Sequence, residues 1–304
     1  MHYLQTGLSL ALVGAAAAVP LSSRGYASPS KGPSDADILN YALTLEHLED
    51  VFYRDGLAKF SEKDFADAGY DAVVYKNIQT VSSDEATHVS FLTTALQAAG
   101  ATPVKACTYN FAYTDVKTFL ATASVLEGVG VSAYLGAAAD IMSKDYLTAA
   151  GSILTVEARH SSYIRAKINE VPFPQPFDAP LTLDEVYSLA SQFIVSCPPE
   201  NPKLPVKAFP KLTLETKPPI KTGDTVTVLT PGYKIETHGE KLYAAFIAVT
   251  GPTFVEAKPV NGGYSFVIPK GFAGQTYVVL TGCDKEVTDD TVVAGPAIIE
   301  IASY

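Results

Sequence analysis

Two Glu-x-x-His motifs, each inside a long helical pattern, constrain the fold more than any other feature of this 304-residue sequence. They pair Glu85 with His88 in the segment SDEATHVSF, and Glu157 with His160 in the segment VEARHSSY. Side chains three residues apart project from one face of a helix, so each pair can bind one metal ion. The motifs therefore predict two helices that carry metal-binding faces.

A second motif alternates with the first along the chain. Glu46 is followed seven residues later by Tyr53, and Glu127 by Tyr134, so each pair lies two helical turns apart on one face. The order Glu-x6-Tyr, Glu-x2-His occurs twice, which indicates a degenerate internal repeat of two helical hairpins. Glu49 is the alternative to Glu46 on the first helix, and the spacing to Tyr53 favours Glu46.

The hydrophobic pattern between residues 35 and 193 has the period of a helix, and Ser34 is the expected N-cap of its first element. The predicted helices cover residues 35–60, 72–99, 116–139, 147–169 and 183–195. Four long helices and a short fifth one predict a four-helix bundle. The link over residues 101–115 contains three aromatic side chains and is long enough to cross the whole length of such a bundle.

The chain changes character near residue 200. Residues 171–219 hold eleven of the twenty prolines, which predicts an extended connector. Beyond the connector, apolar residues alternate with period two in short segments separated by turn signals: TVTVL, LYAAFIAV, YSFVI, TYVVL and AIIEI. This pattern favours an immunoglobulin-like antiparallel β-sandwich. We therefore predict a helical bundle over residues 34–200, followed by connector and sandwich over 201–304.

The N-terminus has the pattern of a secretory signal peptide over residues 1–18. An apolar run at 8–19 is too short to span a bilayer, and Ala16-Ala17-Ala18 supplies small residues for cleavage. The alternatives are a membrane anchor and a buried N-terminal strand. Since no second long apolar run follows, we expect a secreted protein without a membrane span.

Secretion would allow a disulfide bond. Cys107 and Cys197 lie just outside predicted helices, and a bond between them would join two loops. Cys283 would then be buried and free in the β-rich part. Three cysteines leave other pairings open.

The formal net charge of −10 weighs against some classes of partner. Nucleic acid and anionic membrane surfaces both select clustered lysine and arginine, which this chain lacks. The remaining candidate partners are a small oxidant as substrate, the cell wall, and a second copy of the chain, the last two through the β domain.

A bundle core that contains four carboxylates and two imidazoles requires compensating charge. Burying unpaired carboxylates costs several kcal/mol each or forces them to bind protons. Two divalent cations would supply four positive charges against four negative ones, and a mixed oxygen and nitrogen ligand set suits iron or manganese. The sequence therefore predicts two iron or manganese ions.

Residues 35–200 resemble the ferritin-like superfamily, in which such a Glu and Glu-x-x-His set binds two iron or manganese ions. The segments LTLEHLEDVFY, SSDEATHVSFL and SCPPENPKLP resemble one branch of it: secreted fungal stress-response and sexual-development proteins, related to plant desiccation-related proteins. The resemblance implies six metal ligands: Glu46, Glu85, His88, Glu127, Glu157 and His160.

The resemblance also implies roles within this set. Glu85 and Glu157 would bridge the two ions, with the other two glutamates terminal. Asp84 matches an acidic residue that often orients a ligand histidine, here His160. Val156 occupies the corresponding place before Glu157, so one half of the pattern departs from the family.

Two classes of function follow from this reading. The first is a dinuclear-metal oxidoreductase that oxidises metal or consumes peroxide or dioxygen, with Tyr53 and Tyr134 beside the ligands as core aromatics or redox residues. The second is a non-enzymatic extracellular stress or wall-associated protein whose metal site is structural or vestigial. Iron storage requires a closed shell of many subunits. An appended β domain would hinder the assembly of such a shell, so this function is the least favoured.

Overall fold

A computed structural model describes residues 32–303. The predicted signal peptide lies outside these residues. Helices occupy the N-terminal part of the described chain: α1 (Asp35–Lys59), α2 (Glu62–Asp67), α3 (Ala72–Ala98), α4 (Val116–Ala137), α5 (Lys144–Lys167) and α6 (Leu183–Ala190). The long helices begin and end close to the predicted positions, and the short helix α2 was not predicted.

Side-chain caps explain where the helices start. Ser34 accepts a hydrogen bond from the Asp37 amide, and the Asp37 carboxylate accepts one from the Ser34 amide, which forms a capping box. Thr182 caps α6 in the same way. The fourth predicted helix starts at Lys144 instead of residue 147, because Ser143 caps it.

The fifth predicted helix was too long. It ends at Ala190, and the chain then forms strand β2 (Ile194–Ser196), which pairs with β1 (Thr108–Tyr109). Cys107 directly precedes β1 and Cys197 directly follows β2. The predicted disulfide joins these two residues, so the small sheet and the covalent bond hold the same two loops together.

In the helical part, α1 packs along α3 and α4 packs along α5. The link between α3 and α4 carries the predicted aromatic residues onto the outside of the bundle. Phe111 and Tyr113 pack edge-on against Phe52 of α1, with ring centroids 5.1 and 5.5 Å away. These contacts extend the hydrophobic core into the link.

The C-terminal part is an antiparallel β-sheet domain. Its strands are β3 (Thr213–Leu214), β4 (Thr225–Leu229), β5 (Leu242–Phe246), β6 (Thr253–Val260), β7 (Gly263–Val267), β8 (Gly274–Thr281) and β9 (Val292–Ile301). They pair in the order β3-β4-β7-β6-β5-β8-β9. A bridge between Ile220 and Ile301 brings the two edges together, so the sheet curves into a nearly closed barrel or sandwich.

The immunoglobulin-like arrangement is not confirmed. The predicted sandwich has two separate sheets, whereas β6 pairs with both β5 and β7 and makes the strand order continuous. Strand β6 was missed because Pro259 and two charged residues interrupt its apolar alternation. Cys283 is free as predicted but half-buried rather than buried.

The helices and the sheet share one hydrophobic core. Tyr277 and Val279 of β8 belong to the same buried cluster as Leu126 and Val129 of α4. The described residues 32–303 lie within a single compact unit. The domain boundary at residue 200 therefore stays a prediction from composition, because residues on both sides of it pack into one hydrophobic core.

One helical stretch, Val116–Asp140, is long and apolar enough to cross a membrane by length and composition. In the structure 67% of its most apolar window is buried inside the protein, as expected for a core helix.

Candidate metal centre

The four long helices bring the predicted ligands together in the bundle core. Glu46 lies on α1, Glu85 and His88 on α3, Glu127 on α4, and Glu157 and His160 on α5. All four glutamates are completely buried, and the two histidines are 8% and 7% exposed. Such burial of six ionisable groups at one place requires a compensating interaction.

The six side chains form two overlapping groups of possible metal ligands, and within each group the donor atoms lie within 4.8 Å of one another. One group contains Glu46 and His88, and the other contains Glu127 and His160. Glu85 and Glu157 belong to both groups. Two adjacent cations that share two carboxylates would satisfy this arrangement.

Each histidine directs its Nδ1 atom toward the carboxylates. Nδ1 of His88 lies 3.2 Å from oxygens of both Glu46 and Glu85. Nδ1 of His160 lies 3.0 Å from Glu85 Oε1 and 3.4 Å from Glu127 Oε2. The glutamates of both hairpins therefore surround each imidazole.

The other ring nitrogen of His160 has its own partner. Nε2 of His160 lies 3.2 Å from Asp84 Oδ2, which is the contact that the sequence predicted. Such a carboxylate holds the tautomer and orientation of a metal-binding imidazole. In the second motif Val156 takes the place of the aspartate, so the two halves of the centre differ in this support.

The two predicted tyrosines connect α1 with α4. The Tyr53 hydroxyl donates a hydrogen bond to Glu127, and the Tyr134 hydroxyl donates one to Glu46. Each tyrosine thus orients the terminal glutamate of the opposite hairpin. Both rings are buried, so these hydrogen bonds are shielded from water.

Gly130 of α4 makes room for the carboxylates. A Cβ atom at this position would lie 2.7 Å from Glu157 Oε2 and 3.1 Å from Glu49 Oε1. Any larger residue would have to displace at least one of these groups. The glycine is therefore a requirement of the site, although the sequence analysis did not identify it.

Burial and mutual repulsion change the proton affinities of the metal-free site. Burial raises the pKa of Glu85 to about 7, although the two neighbouring imidazoles oppose this. Burial, together with the charge of Glu85, raises the pKa of Glu157 well above its ordinary value. Burial lowers the pKa of His88 and His160, but the surrounding carboxylates outweigh it and raise these values to about 12 and about 11.

Glu49 is a further buried carboxylate beside the centre, outside both groups of possible ligands. It was weighed as a rival of Glu46, yet both side chains are buried, and Glu49 is only 4% exposed. Burial raises its pKa well above the ordinary value, and the charge of Glu157 adds to this effect. It lies three residues after Glu46 on the same helix face, which is the spacing that brings both carboxylates near the centre.

Several donor atoms of the cluster are placed for a bound cation and not for hydrogen bonds to one another. Five buried atoms in it have no hydrogen-bond partner among residues 32–303: Glu85 Oε1, Glu127 Oε2, both carboxylate oxygens of Glu157, and His160 Nδ1. Although His160 Nδ1 and Glu85 Oε1 lie 3.0 Å apart, they do not meet in hydrogen-bond geometry. Unsatisfied buried polar atoms are rare, so their concentration here points to a ligand. The oxygen and nitrogen set suits iron or manganese.

Comparison with known proteins supports this description of the helical part. Residues 34–170 match the family model described as Ferritin-like domain. Protein rds1 of the fission yeast Schizosaccharomyces pombe is 32% identical over 201 residues, which cover 65% of this chain and 49% of that protein. The chain thus spans about half the length of this curated relative.

Two solved structures align with the chain at low identity. A ferritin-like, diiron-carboxylate protein from Bacillus anthracis is 20% identical over 44% of this chain and 95% of its own, with a TM-score of 0.38. A conserved hypothetical protein from Mycobacterium tuberculosis is 18% identical over 45% and 99%, with a TM-score of 0.39.

Proposed function

We propose that this chain is a secreted dinuclear-metal oxidoreductase that uses a pair of iron or manganese ions in peroxide or dioxygen chemistry, as part of a stress response. The observation that carries the proposal is the pair of buried ligand groups that share Glu85 and Glu157. Neither carboxylate oxygen of Glu157 has a hydrogen-bond partner among the described residues.

The residues divide between the two ions in a simple way. Glu46 and His88 would hold one ion, Glu127 and His160 the other, and the two shared carboxylates would hold both. When bound, two divalent ions would supply the two electrons that convert one hydrogen peroxide, with two protons, into two water molecules, and a second hydrogen peroxide, oxidised to dioxygen and two protons, would return these electrons. Iron and manganese are suited to this role because mixed carboxylate and imidazole ligands accept both metals.

The chain's own residues contribute positioning and exclusion of water. Tyr53 and Tyr134 orient the terminal glutamates, and Asp84 orients His160. Complete burial of the four glutamates keeps bulk water out, which strengthens the electrostatic interactions inside the site. A rigid, buried ligand set is what a redox metal site requires.

Two features support the proposal of secretion. The pattern over residues 1–18 is that of a signal peptide, and the Cys107–Cys197 disulfide is typical of proteins that fold in an oxidising compartment. The stress-response role rests on the resemblance of the sequence segments to the secreted fungal branch.

One observation favours a second candidate, in which the metal only stabilises an extracellular binding or wall-associated protein. The glutamates of the centre are 0% exposed, which is also the property of a structural metal site. In that case the β-sheet domain would supply the binding surface.

Metal content per chain tests the proposal. The full-length protein, purified from its secreting host without chelator, is expected to hold about two iron or manganese ions per chain by elemental analysis. Glu85→Gln should lose both ions and all peroxide consumption, because both ligand groups contain Glu85. Glu62→Gln, an exposed position on α2, is the matched control and should behave as the parent.

The outcomes separate the two candidates. Two bound ions without consumption of peroxide or dioxygen, together with a lower melting temperature after metal removal, would favour the structural role. No bound metal, and no uptake of added Fe(II) or Mn(II), would exclude both metal-dependent functions.

A further inference from the structure

Glu49 is a nearly buried carboxylate for which the fold provides no partner. Its side chain makes no hydrogen bond or ion pair with any residue between 32 and 303, although only 4% of the residue is exposed. The other buried glutamates of α1 and α4 each accept a hydrogen bond from a tyrosine. Since burial of an unpaired polar group costs free energy, Glu49 requires an interaction with something outside the chain.

A cavity of about 120 Å³ lies beside Glu49. Its walls come from α1, α4 and the end of α6 with the two lining residues that follow it, and Ile298 of β9 completes the lining. The polar side chains that line it are Glu49 and Gln192, and the rest are apolar, including Leu45, Val129, Ala190 and Ile298. We refer to this cavity as the Glu49 pocket.

The inner end of the Glu49 pocket meets the metal centre at Gly130. This residue lines the pocket, and its missing Cβ would lie 2.7 Å from an oxygen of Glu157 and 3.1 Å from one of Glu49. Glu157 belongs to both groups of metal ligands. Gly130 therefore lies beside both the pocket and a carboxylate that belongs to both groups of possible ligands.

The lining restricts what the pocket can hold. A largely apolar wall disfavours ions, because an ion would lose its hydration without compensation. The volume corresponds to about four water molecules at roughly 30 Å³ each. The occupant is thus small and uncharged, with a polar end that can bond to Glu49.

We propose that the Glu49 pocket binds hydrogen peroxide and delivers it to the metal pair, with the Glu49 carboxyl as its hydrogen-bonding group. This inference rests on the proposed function, since it names the substrate of that site and its route. Hydrogen peroxide fits because it is small and uncharged and both donates and accepts hydrogen bonds. We expect a bulky organic hydroperoxide to enter a cavity of about 120 Å³ poorly.

Two substitutions test the pocket without changing a metal ligand. Ala190→Leu fills the cavity from α6, and Glu49→Leu removes the hydrogen-bonding group. Both are expected to lower kcat/KM for hydrogen peroxide about tenfold, while elemental analysis still finds the parent metal content. Glu49→Gln keeps a donor and an acceptor and should stay within about threefold of the parent. Glu62→Gln is the surface control.

A second measurement does not depend on turnover. Xenon is a small apolar probe that occupies accessible apolar cavities. In crystals of the full-length parent under xenon pressure, we expect xenon in the Glu49 pocket, and in Ala190→Leu crystals we expect none. The parent should also consume cumene hydroperoxide at least tenfold more slowly than hydrogen peroxide.

The results distinguish failure of the pocket from failure of the proposed function. Parent-like kinetics in Ala190→Leu and Glu49→Leu, or absence of xenon from the parent pocket, would overturn the pocket while the redox function stands. A parent that holds two metal ions but consumes no peroxide would overturn the proposed function, and the assignment of peroxide to this pocket with it.

Discussion

Replacing Gly130 with alanine is expected to weaken metal binding without unfolding the protein. The added Cβ would lie 2.7 Å from Glu157 Oε2, whereas ordinary contact begins at 3.4 Å. The carboxylate must therefore retreat by about 0.7 Å. Functional groups tolerate displacements of only about 0.5 Å before their geometry is lost.

The effect reaches both ions, because Glu157 belongs to both ligand groups. Displacement of groups that orient metal ligands typically costs about 10- to 100-fold in affinity, and we expect a loss in this range. The metal-free fold should tolerate the change. The displaced atoms are the end of a flexible side chain, and alanine gains about 1 kcal/mol of helix propensity over glycine.

The assay combines anaerobic titration of Fe(II) or Mn(II) against a competing chelator with urea unfolding of the metal-free protein. Gly151→Ala on α5 is the matched control, because no atom lies within 4 Å of its added Cβ. This control should raise the free energy of unfolding by about 1 kcal/mol and leave metal affinity unchanged.

Parent-like metal affinity in Gly130→Ala would refute the reasoning, since Glu157 could not then be holding metal from its position beside Gly130. Loss of metal from Gly151→Ala would also refute it. Such a result would mean that any change of glycine on these helices disturbs the centre, whether or not it contacts a ligand.

Three further predictions concern the support of the site and of the fold. Asp84→Asn should lower metal affinity about 10- to 100-fold, measured by chelator competition, because His160 loses its carboxylate partner. The metal-free protein should lose stability as pH rises from 4.5 through about 7, because burial raises the pKa of Glu85 in the folded state. The raised pKa values of His88 and His160 extend this decline to higher pH. Urea unfolding in EDTA measures the loss of stability, and bound metal should reverse the trend. Reduction of the Cys107–Cys197 bond should cost roughly 2–4 kcal/mol in thermal or urea unfolding, because it closes a long loop.

The helical part could be predicted because each candidate ligand lies on a helix with regular spacing. A Glu-x-x-His motif fixes which face of its helix points inward, and the repeat along the chain identifies the partner helices. The caps at Ser34 and Thr182 follow local rules that a sequence displays directly. The caps and the Glu-x-x-His spacing depend on neighbours within four residues.

The remaining features depend on contacts that are distant in the sequence. Strand β6 was missed because its residues alternate poorly, and its pairing with β5 and β7 determines its structure instead. Gly130 and Glu49 belong to the site because α1, α4 and α5 approach closely at one point. A single sequence does not display that distance.

The glycines of α4 show why the β-sheet domain belongs to the architecture of the metal centre. Glycine costs about 1 kcal/mol relative to alanine inside a helix, so each needs a compensating contact. A Cβ on Gly128 would lie 2.6 Å from Gln275 of β8, and one on Gly136 would lie 1.8 Å from the Leu181 carbonyl oxygen. Gly130 faces Glu157 in the same way.

Strand β8 uses the space beside Gly128 to hold the helix that carries Glu127. The Tyr277 hydroxyl donates a hydrogen bond of 2.7 Å to the Gly128 carbonyl, and the Gln275 amide donates one of 3.2 Å to the Val125 carbonyl. These two bonds lie on either side of Glu127 along α4. The sheet therefore fixes the helix at the residues flanking a proposed metal ligand, so the position of that ligand depends on the β-sheet domain as well as on the bundle.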